Sequence, residues 1–480
     1  MEDFNLAPLL PEIFLSIIAM GLLLVGAFNG NNATRIVSWA GCSGILITIL
    51  VLLGIGWHKQ TVLNGMFIID EFSSFTKLLI LIGSLGAIAL SVRYIIDEGM
   101  ERFEYPVLIL FATIGMMFMV SSNNLLMLYM GLELQSLSLY VLASFHRNST
   151  RSAEAGIKYF ILGALSSGLL LFGISLIYGF TGSIDYTVIK HSLFIIDGAS
   201  IGFTIGLVFL LAGIAFKISA APFHMWTPDV YEGAPTSVTA FFAMVPKIAA
   251  MAVLMRLLFE PFASVADQWV QIIYFLSLFS MIVGAFAALV QEDIKRLLAY
   301  SSIGNMGYAL IAIVANTPEG AGAVLLYILI YMIMTAGVFG AVLSMRRQGL
   351  AVTKINDLAG LSQTKPALAY VMFILMFSMA GIPPMAGFFG KLAVFNAAVA
   401  QEFYVLATIG VISSVISAYY YLRVVKAMFF DEPADKFDTS IPFARRVVMF
   451  VSIFFVICFV FKPSVFIQSS ITAASSLFAG

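Results

Sequence analysis

Apolar runs of about 20 residues recur along the whole chain, each long enough to cross the ~30 Å hydrocarbon layer of a membrane as a helix. They lie at roughly 9–28, 36–57, 74–95, 105–121, 123–145, 155–180, 200–221, 236–258, 270–291, 298–315, 321–345, 368–397, 404–427 and 446–466. This pattern predicts an all-α polytopic membrane protein with about fourteen transmembrane helices. Composition agrees: 61% of the 480 residues are hydrophobic and only 11% charged, too few to coat soluble domains of this size. Ser121-Ser122-Asn123-Asn124 separates the fourth span from the fifth, and residues 222–235 are too rich in proline and polar groups to finish the seventh cleanly.

Basic residues set the expected orientation, because Lys and Arg concentrate in cytoplasmic loops. Alternate loops carry Arg35; Arg93 and Arg102; Arg147, Arg151 and Lys158; Lys295 and Arg296; Arg346, Arg347, Lys354 and Lys365; and Arg423, Lys426, Lys436, Arg445 and Arg446. The opposite loops and helix ends hold only Lys59, Lys77, Lys190, Arg256 and Lys462. Both termini are therefore expected to face away from the cytoplasm. The start, Met1-Glu2-Asp3-Phe4, is acidic where a signal or transit peptide is basic, so the first run is expected to be retained.

Three basic groups remain, each inside an apolar span: Lys217 in GIAFKISAAPF, Lys247 in AMVPKIAAM and Lys391 in GFFGKLAVF. Glu133, in LLMLYMGLELQSLSLY, is the mid-span acid. A charge near the bilayer centre costs roughly 2.5–3.5 kcal/mol, so three lysines cost on the order of 10 kcal/mol and need a reason. Snorkelling to the interface suits Lys77, which stands near its helix end. A static ion pair with Glu133 accounts for one lysine but not three. A proton relay accounts for all four groups: burial disfavours the charged form of a lysine and a nearby carboxylate restores it, so moving one moves the proton.

The lysines also sit beside helix breakers. Lys217 is followed by Pro222, Pro228 and Pro235, and Lys391 is preceded by Pro383-Pro384 among glycines. Proline removes a helix donor and clashes with the preceding turn, and membrane helices that line ion paths are often interrupted in this way. Two breaks about 165 residues apart, each in a block of about five helices, suggest an internal repeat. Between the lysines, Tyr300, Ser301, Ser302, Asn305 and Tyr308 on the tenth span and Thr335 on the eleventh are candidate relay groups, each weighed against simple bonding to its own backbone.

No phosphate loop or dinucleotide fingerprint occurs, the four histidines fall in loops or near span ends, and Cys42 and Cys458 stand alone. The expectation is a chain with no redox cofactor or metal of its own, moving ions only, with the lipid bilayer and protons as partners and no nucleic acid.

EAGIKYFILGALSSGLLLFGISLIYG, APFHMWTPDVYEGAPTSVTAFF, EDIKRLLAYSSIGNMGY and GIPPMAGFFGKLAVF together resemble the antiporter-like, proton-conducting membrane subunits of respiratory complex I, with similarity along essentially the whole chain. The resemblance implies two inverted five-helix repeats, each with a broken helix, at 104–260 and 261–430, preceded by three helices in 1–103 and followed by a last helix in 431–480. It implies that Glu133 and Lys217 form a modulating pair, that Lys247 is the central relay, and that Lys391 is the terminal proton site. It further implies other membrane-arm subunits as partners, with NADH, FMN, iron–sulfur clusters and quinone handled in neighbouring subunits. Asn305 departs from several relatives, which carry a titratable histidine there. The sequence leaves open a subunit of a multisubunit Na⁺/H⁺ or K⁺/H⁺ antiporter, a non-transporting bridging subunit, and a ferredoxin-using plastid or cyanobacterial relative.

Overall fold

A computed structural model describes residues 6–195, 200–435, 437–438 and 441–478. The acidic start at residues 1–4 and Lys436 lie outside the described residues. Helices dominate, in the order α1 Leu10–Asn29, α2 Thr34–Gly54, α3 Glu71–Asp97, α4 Glu104–Val120, α5 Leu125–Ala143, α6 Thr150–Thr181, the short α7 Tyr186–Ile195, and α8 Ile201–Ile218. There follow α9 Trp226–Gly233, α10 Thr236–Phe259, α11 Ala266–Leu289, α12 Ile294–Val314, α13 Pro318–Val342, the single turn α14 Leu361–Thr364, α15 Pro366–Ala380, α16 Ala386–Ala400, α17 Tyr404–Phe430, α18 Phe443–Cys458 and α19 Pro463–Ser475.

Among the described residues, 11 helical stretches are long and apolar enough to cross a membrane, the first of them holding both α1 and α2. With the shorter α4, and with α15 and α16 as the two halves of one interrupted span, the fourteen expected spans are all present. Two small antiparallel hairpins, β1 Gln60–Val62 with β2 Phe67–Ile69 and β3 Arg346–Arg347 with β4 Leu350–Ala351, decorate loops of the otherwise helical chain. Asn124 caps α5 by accepting from the Leu126 N–H at 2.9 Å, which is why the chain turns sharply after Ser121.

Burial is layered. Every residue of α10 is buried, and α12 and α13 are nearly so, making the centre of the bundle. Outer helices keep apolar side chains exposed, as Ile157, Phe160, Ile161 and Leu165 do on α6, a surface suited to lipid rather than water. The tightest pairings place glycine against glycine. A Cβ on Gly115 of α4 would come within 2.7 Å of the Gly131 carbonyl of α5, one on Gly173 of α6 within 2.6 Å of the Gly206 carbonyl of α8, and one on Gly284 of α11 within 2.5 Å of the Gly304 nitrogen of α12. Lipid tails give helices no hydrophobic reason to associate, so close backbone approach at small residues supplies the packing energy.

Two buried ionic groups stand near the α3 N-terminus, and the first corrects the sequence reading. Lys77 does not snorkel: with no exposed surface, it meets the equally buried Glu12 of α1 at 2.6 Å. Arg256, at a helix end as expected, is buried in the last turn of α10 and binds Asp70 at 2.9 Å and Glu260 at 3.1 Å. Asp70 also caps α3 by accepting from the Ser73 N–H at 2.7 Å. These charges persist in low dielectric because each has a partner; removing one partner from such a pair typically costs about 3–5 kcal/mol.

Candidate proton-transfer site

Both breaks fall where the prolines stand, and both have the same local form. α8 ends in left-handed Ser219 (φ 63°) and α15 in left-handed Gly381 (φ 84°); three residues further on, each chain passes a cis bond, at Ala221-Pro222 and at Pro383-Pro384. Pro228 breaks nothing, because it sits in the first turn of α9, where a missing N–H is tolerated. Gly381 has a second constraint: a Cβ there would lie 2.9 Å from Cδ of Lys391.

The three lysines are 5%, 2% and 6% exposed at 217, 247 and 391, so snorkelling is excluded for each. Lys217, at the end of α8, donates to Ser136 Oγ at 2.7 Å and to the Tyr140 hydroxyl at 3.5 Å. Ser136 lies one helical turn beyond Glu133 on α5 and gives its own hydroxyl to the Leu132 carbonyl at 2.5 Å; Glu133 makes no ion pair with Lys217 within 4 Å, and its buried Oε1 has no hydrogen-bond partner, so the expected pair is not closed by direct contact. The break is pinned by the Trp226 indole N–H, which donates to the Phe216 carbonyl at 2.9 Å, and by the Ala221 N–H, which donates to Ser280 Oγ of α11 at 2.8 Å. From Lys217 the rings of Phe216, Trp226 and Tyr231 succeed one another at 5.5 and 6.3 Å, and Tyr231 lies 5.6 Å from the Lys247 ammonium.

Lys247 opens a hydroxyl network. Its ammonium donates to Ser302 Oγ on α12, which also accepts from the Tyr331 hydroxyl of α13 at 2.8 Å. The neighbouring Ser301 shares a hydrogen bond of 2.5 Å with the Tyr421 hydroxyl of α17. Asn305 donates to the Ser301 carbonyl at 2.8 Å and to its hydroxyl at 3.2 Å, and accepts from the Tyr327 hydroxyl at 2.6 Å. Tyr308 and Ser417 approach to 3.4 Å, the Tyr308 ring lies 5.0 Å from the Lys391 ammonium, and Lys391 donates to Ser414 Oγ at 2.8 Å and to the Ala380 carbonyl at 2.9 Å. These contacts form separate groups, Lys247–Ser302–Tyr331, Ser301–Tyr421–Asn305–Tyr327, Tyr308–Ser417 and Lys391–Ser414; hydroxyls both give and take a hydrogen bond, so a proton can pass by exchange within each without a titratable group at every step.

Of the expected relay residues, Ser301, Ser302 and Asn305 are in this network, and Thr335 is buried one turn from Tyr331. Tyr300 is not: it is partly buried and packs against apolar neighbours instead. The sequence reading missed Tyr140, Ser136, Tyr327, Tyr331, Tyr421, Ser417 and Ser414. A signal existed for the last three, since Ser414, Ser417 and Tyr421 recur at helical spacing and put three hydroxyls on one face of α17.

One end of the bundle carries a charged cluster on the first break. Asp229 of α9 binds Lys158 at 2.8 Å and Arg296 at 2.9 Å, Arg296 also reaches Glu232 at 2.9 Å, and these groups line a cavity of about 210 Å³. The buried Lys295 donates to the Glu232 and Ala234 carbonyls at 2.8 and 2.7 Å, joining the cavity to the connection between α9 and α10.

Residues 122–417, which hold this constellation except Tyr421, match the family described as NADH:quinone oxidoreductase/Mrp antiporter, TM. The chain is 53% identical over 471 residues to NADH-quinone oxidoreductase subunit N of Parvibaculum lavamentivorans, covering 98% of this chain and 97% of that one. It is 50% identical over 479 residues to the subunit of the same name from Rhodospirillum rubrum, covering 99% and 98%. A chain of respiratory complex I from Thermus thermophilus superposes with a TM-score of 0.81 at 32% identity, covering 95% of this chain and 98% of its own. A chain of the Mrp complex from a Dietzia species has a TM-score of 0.85 at 21% identity, covering 98% and 97%, a likeness of fold alone. The chain belongs to the NADH:quinone oxidoreductase/Mrp antiporter family of membrane subunits.

Proposed function

We propose that this chain is the N-type, proton-translocating subunit in the membrane arm of an NADH:quinone oxidoreductase, packed against the other membrane-arm subunits of that complex. The observation that carries the reading is the row of three buried lysines at 217, 247 and 391, the last two each hydrogen-bonded to a serine hydroxyl, Ser302 and Ser414, beside further buried hydroxyl and amide groups of α12, α13 and α17. Electron transfer from NADH to quinone belongs to partner subunits through flavin and iron–sulfur clusters, and this chain contributes the proton step alone. Glu133 tunes Lys217 by its charge, Lys247 receives the proton, and Lys391 delivers it. The work done is about 2.3 kcal/mol per proton for each 100 mV opposed.

The charged cavity at Asp229 and Arg296 is the cytoplasmic mouth in this reading, and both termini face the periplasm. The two breaks of like form, at Ser219–Pro222 and Gly381–Pro384, support an arrangement of repeats over 104–260 and 261–430. The family description, which spans Mrp antiporters as well, leaves a second reading, a subunit of a cation/proton antiporter complex.

Isolating the tagged chain from native membranes in mild detergent separates the two. The first reading requires flavin, iron–sulfur proteins and NADH:quinone activity to come with it in one large assembly. Recovery with small hydrophobic partners and no redox cofactor would favour the second.

A further inference from the structure

The C-terminal end of α3 meets the start of α18 around a polar cavity of about 190 Å³, lined in part by Arg93, Asp97, Arg346, Asp438 and Arg445. Its charges are unequally satisfied. Asp97 holds Arg93 at 2.9 Å, Arg346 binds Glu98 at 2.5 Å, and the Asp438 carboxylate accepts from the Gln348 and Gly349 N–H groups at 3.0 Å each. Arg445 is the exception. It is 1% exposed and gives Nη1 to the Leu343 carbonyl at 2.6 Å, but its buried Nε and Nη2 have no hydrogen-bond partner. Leaving charge-bearing donors of a buried guanidinium unmet is costly, and an oxyanion with fork geometry is the group that meets them best.

An apolar cleft of about 260 Å³ follows along the same two helices. It runs between α3, at Ile82, Gly86 and Ala89, and α18, at Val447, Val448 and Val451, with Met332 and Ala336 of α13 as its floor. From Arg93 back to Ile82 is 11 residues of helix, about 16 Å, close to the half-thickness of a bilayer's hydrocarbon layer. A basic head end and an apolar groove of one leaflet's depth, on one pair of helices, have the shape and polarity of a single phospholipid. Basic pockets between membrane helices are known receptors for acidic head groups.

We propose that this crevice between α3 and α18 is a binding site for one acidic phospholipid, its phosphate on Arg445 and Arg93 and an acyl chain lying in the cleft beside Gly86. The lipid fills the groove between α3 and α18 over α13 and ties α18 to the rest of the bundle. The proposal does not depend on which assembly the chain serves.

The test uses the full chain with its native partners in mild detergent and two photoactivatable probes, phosphatidylglycerol and phosphatidylcholine, each with a diazirine in the acyl chain. Adducts are located by peptide mass spectrometry. The expected result is labelling of residues 82–89 and 447–452 about five-fold stronger with phosphatidylglycerol than with phosphatidylcholine. Arg445→Gln should remove that preference. Gly86→Phe, whose added Cβ meets nothing within 4 Å, should fill the groove and abolish labelling by both probes, and it decides the matter even if the arginine variant does not assemble. Equal labelling by the two lipids, or labelling indifferent to Gly86→Phe, overturns the proposal. So does competition by inorganic phosphate with no labelling in the groove, which marks a free-anion site instead.

Discussion

At the residue scale, a lysine in an apolar run is visible in any sequence, but its partners are not. Lys217, Lys247, Lys391 and Glu133 announced themselves by cost alone. Tyr421 and Tyr327 did not, because a tyrosine suits lipid, core and interface alike, and Tyr421 meets Ser301 across 120 residues of chain. The reading of Lys77 failed for the same reason: distance from a helix end is legible, while Glu12 waiting on another helix is not. The network gives a graded prediction for coupled proton pumping in reconstituted vesicles. Lys247→Ala should lower it about ten-fold or more, since a positioned proton carrier contributes at least that much. Tyr421→Phe removes the hydroxyl shared with Ser301 and should slow pumping several-fold, whereas Tyr300→Phe, outside the network, should leave it unchanged. Equal effects of the two tyrosine variants would refute the path drawn here.

At the element scale, proline marked both breaks correctly, yet Pro228 and Pro235 serve as a first-turn residue and a helix cap rather than as further breaks, since proline is costly only where a ladder donor is needed. The buried pairs between elements set stability. Glu12→Gln or Lys77→Met alone should cost about 3–5 kcal/mol, and the double variant should recover much of it, because the loss is an unpaired buried charge rather than a missing bond. Thermal unfolding of the three variants in detergent is the check; additive losses would rule out a direct pair.

The Asp70–Arg256–Glu260 group has a pH signature of its own. Burial pushes the Asp70 carboxyl up, but the Arg256 guanidinium with the hydrogen bonds from Arg256 and Ser73 outweighs it, so Asp70 titrates below its ordinary value. Glu260 goes the other way, because burial outweighs the same arginine. On acidification Glu260 therefore takes a proton first while the Asp70–Arg256 bond stands. A carboxyl with a lowered value stabilises the fold above its unfolded value, about 3.9, and that contribution is lost as pH falls further. Unfolding temperature should thus hold near pH 5 and drop below about pH 4. In Asp70→Asn the drop should be smaller, and an identical acid profile would assign it elsewhere.

At the scale of the whole molecule, span number and order were legible because length and apolarity fix them, while the small hairpins and the short α7, α9, α14 and α19 went unseen, being too brief for a membrane-width window. Orientation rests on the basic loops. Single cysteines at the exposed positions Lys59 and Leu350 should react from opposite sides of sealed vesicles, Leu350→Cys from the cytoplasmic side; labelling from one side alone would mean a miscounted span.

The central helix α10 runs through Pro246 without interruption, immediately before Lys247, and all of its residues are shielded. Proline brings no N–H, so the carbonyl of Phe242, four residues back, has no helical donor to receive. The driest rod in the protein thus carries an acceptor made vacant by the backbone itself, one turn before the ammonium it presents. Such a carbonyl can hold a water molecule where side chains provide none, and it softens the rod to bending at that height. Replacing the ring by alanine would close the ladder, so the element that looks most like passive scaffolding is also the one whose stiffness and wetting a single imino acid sets.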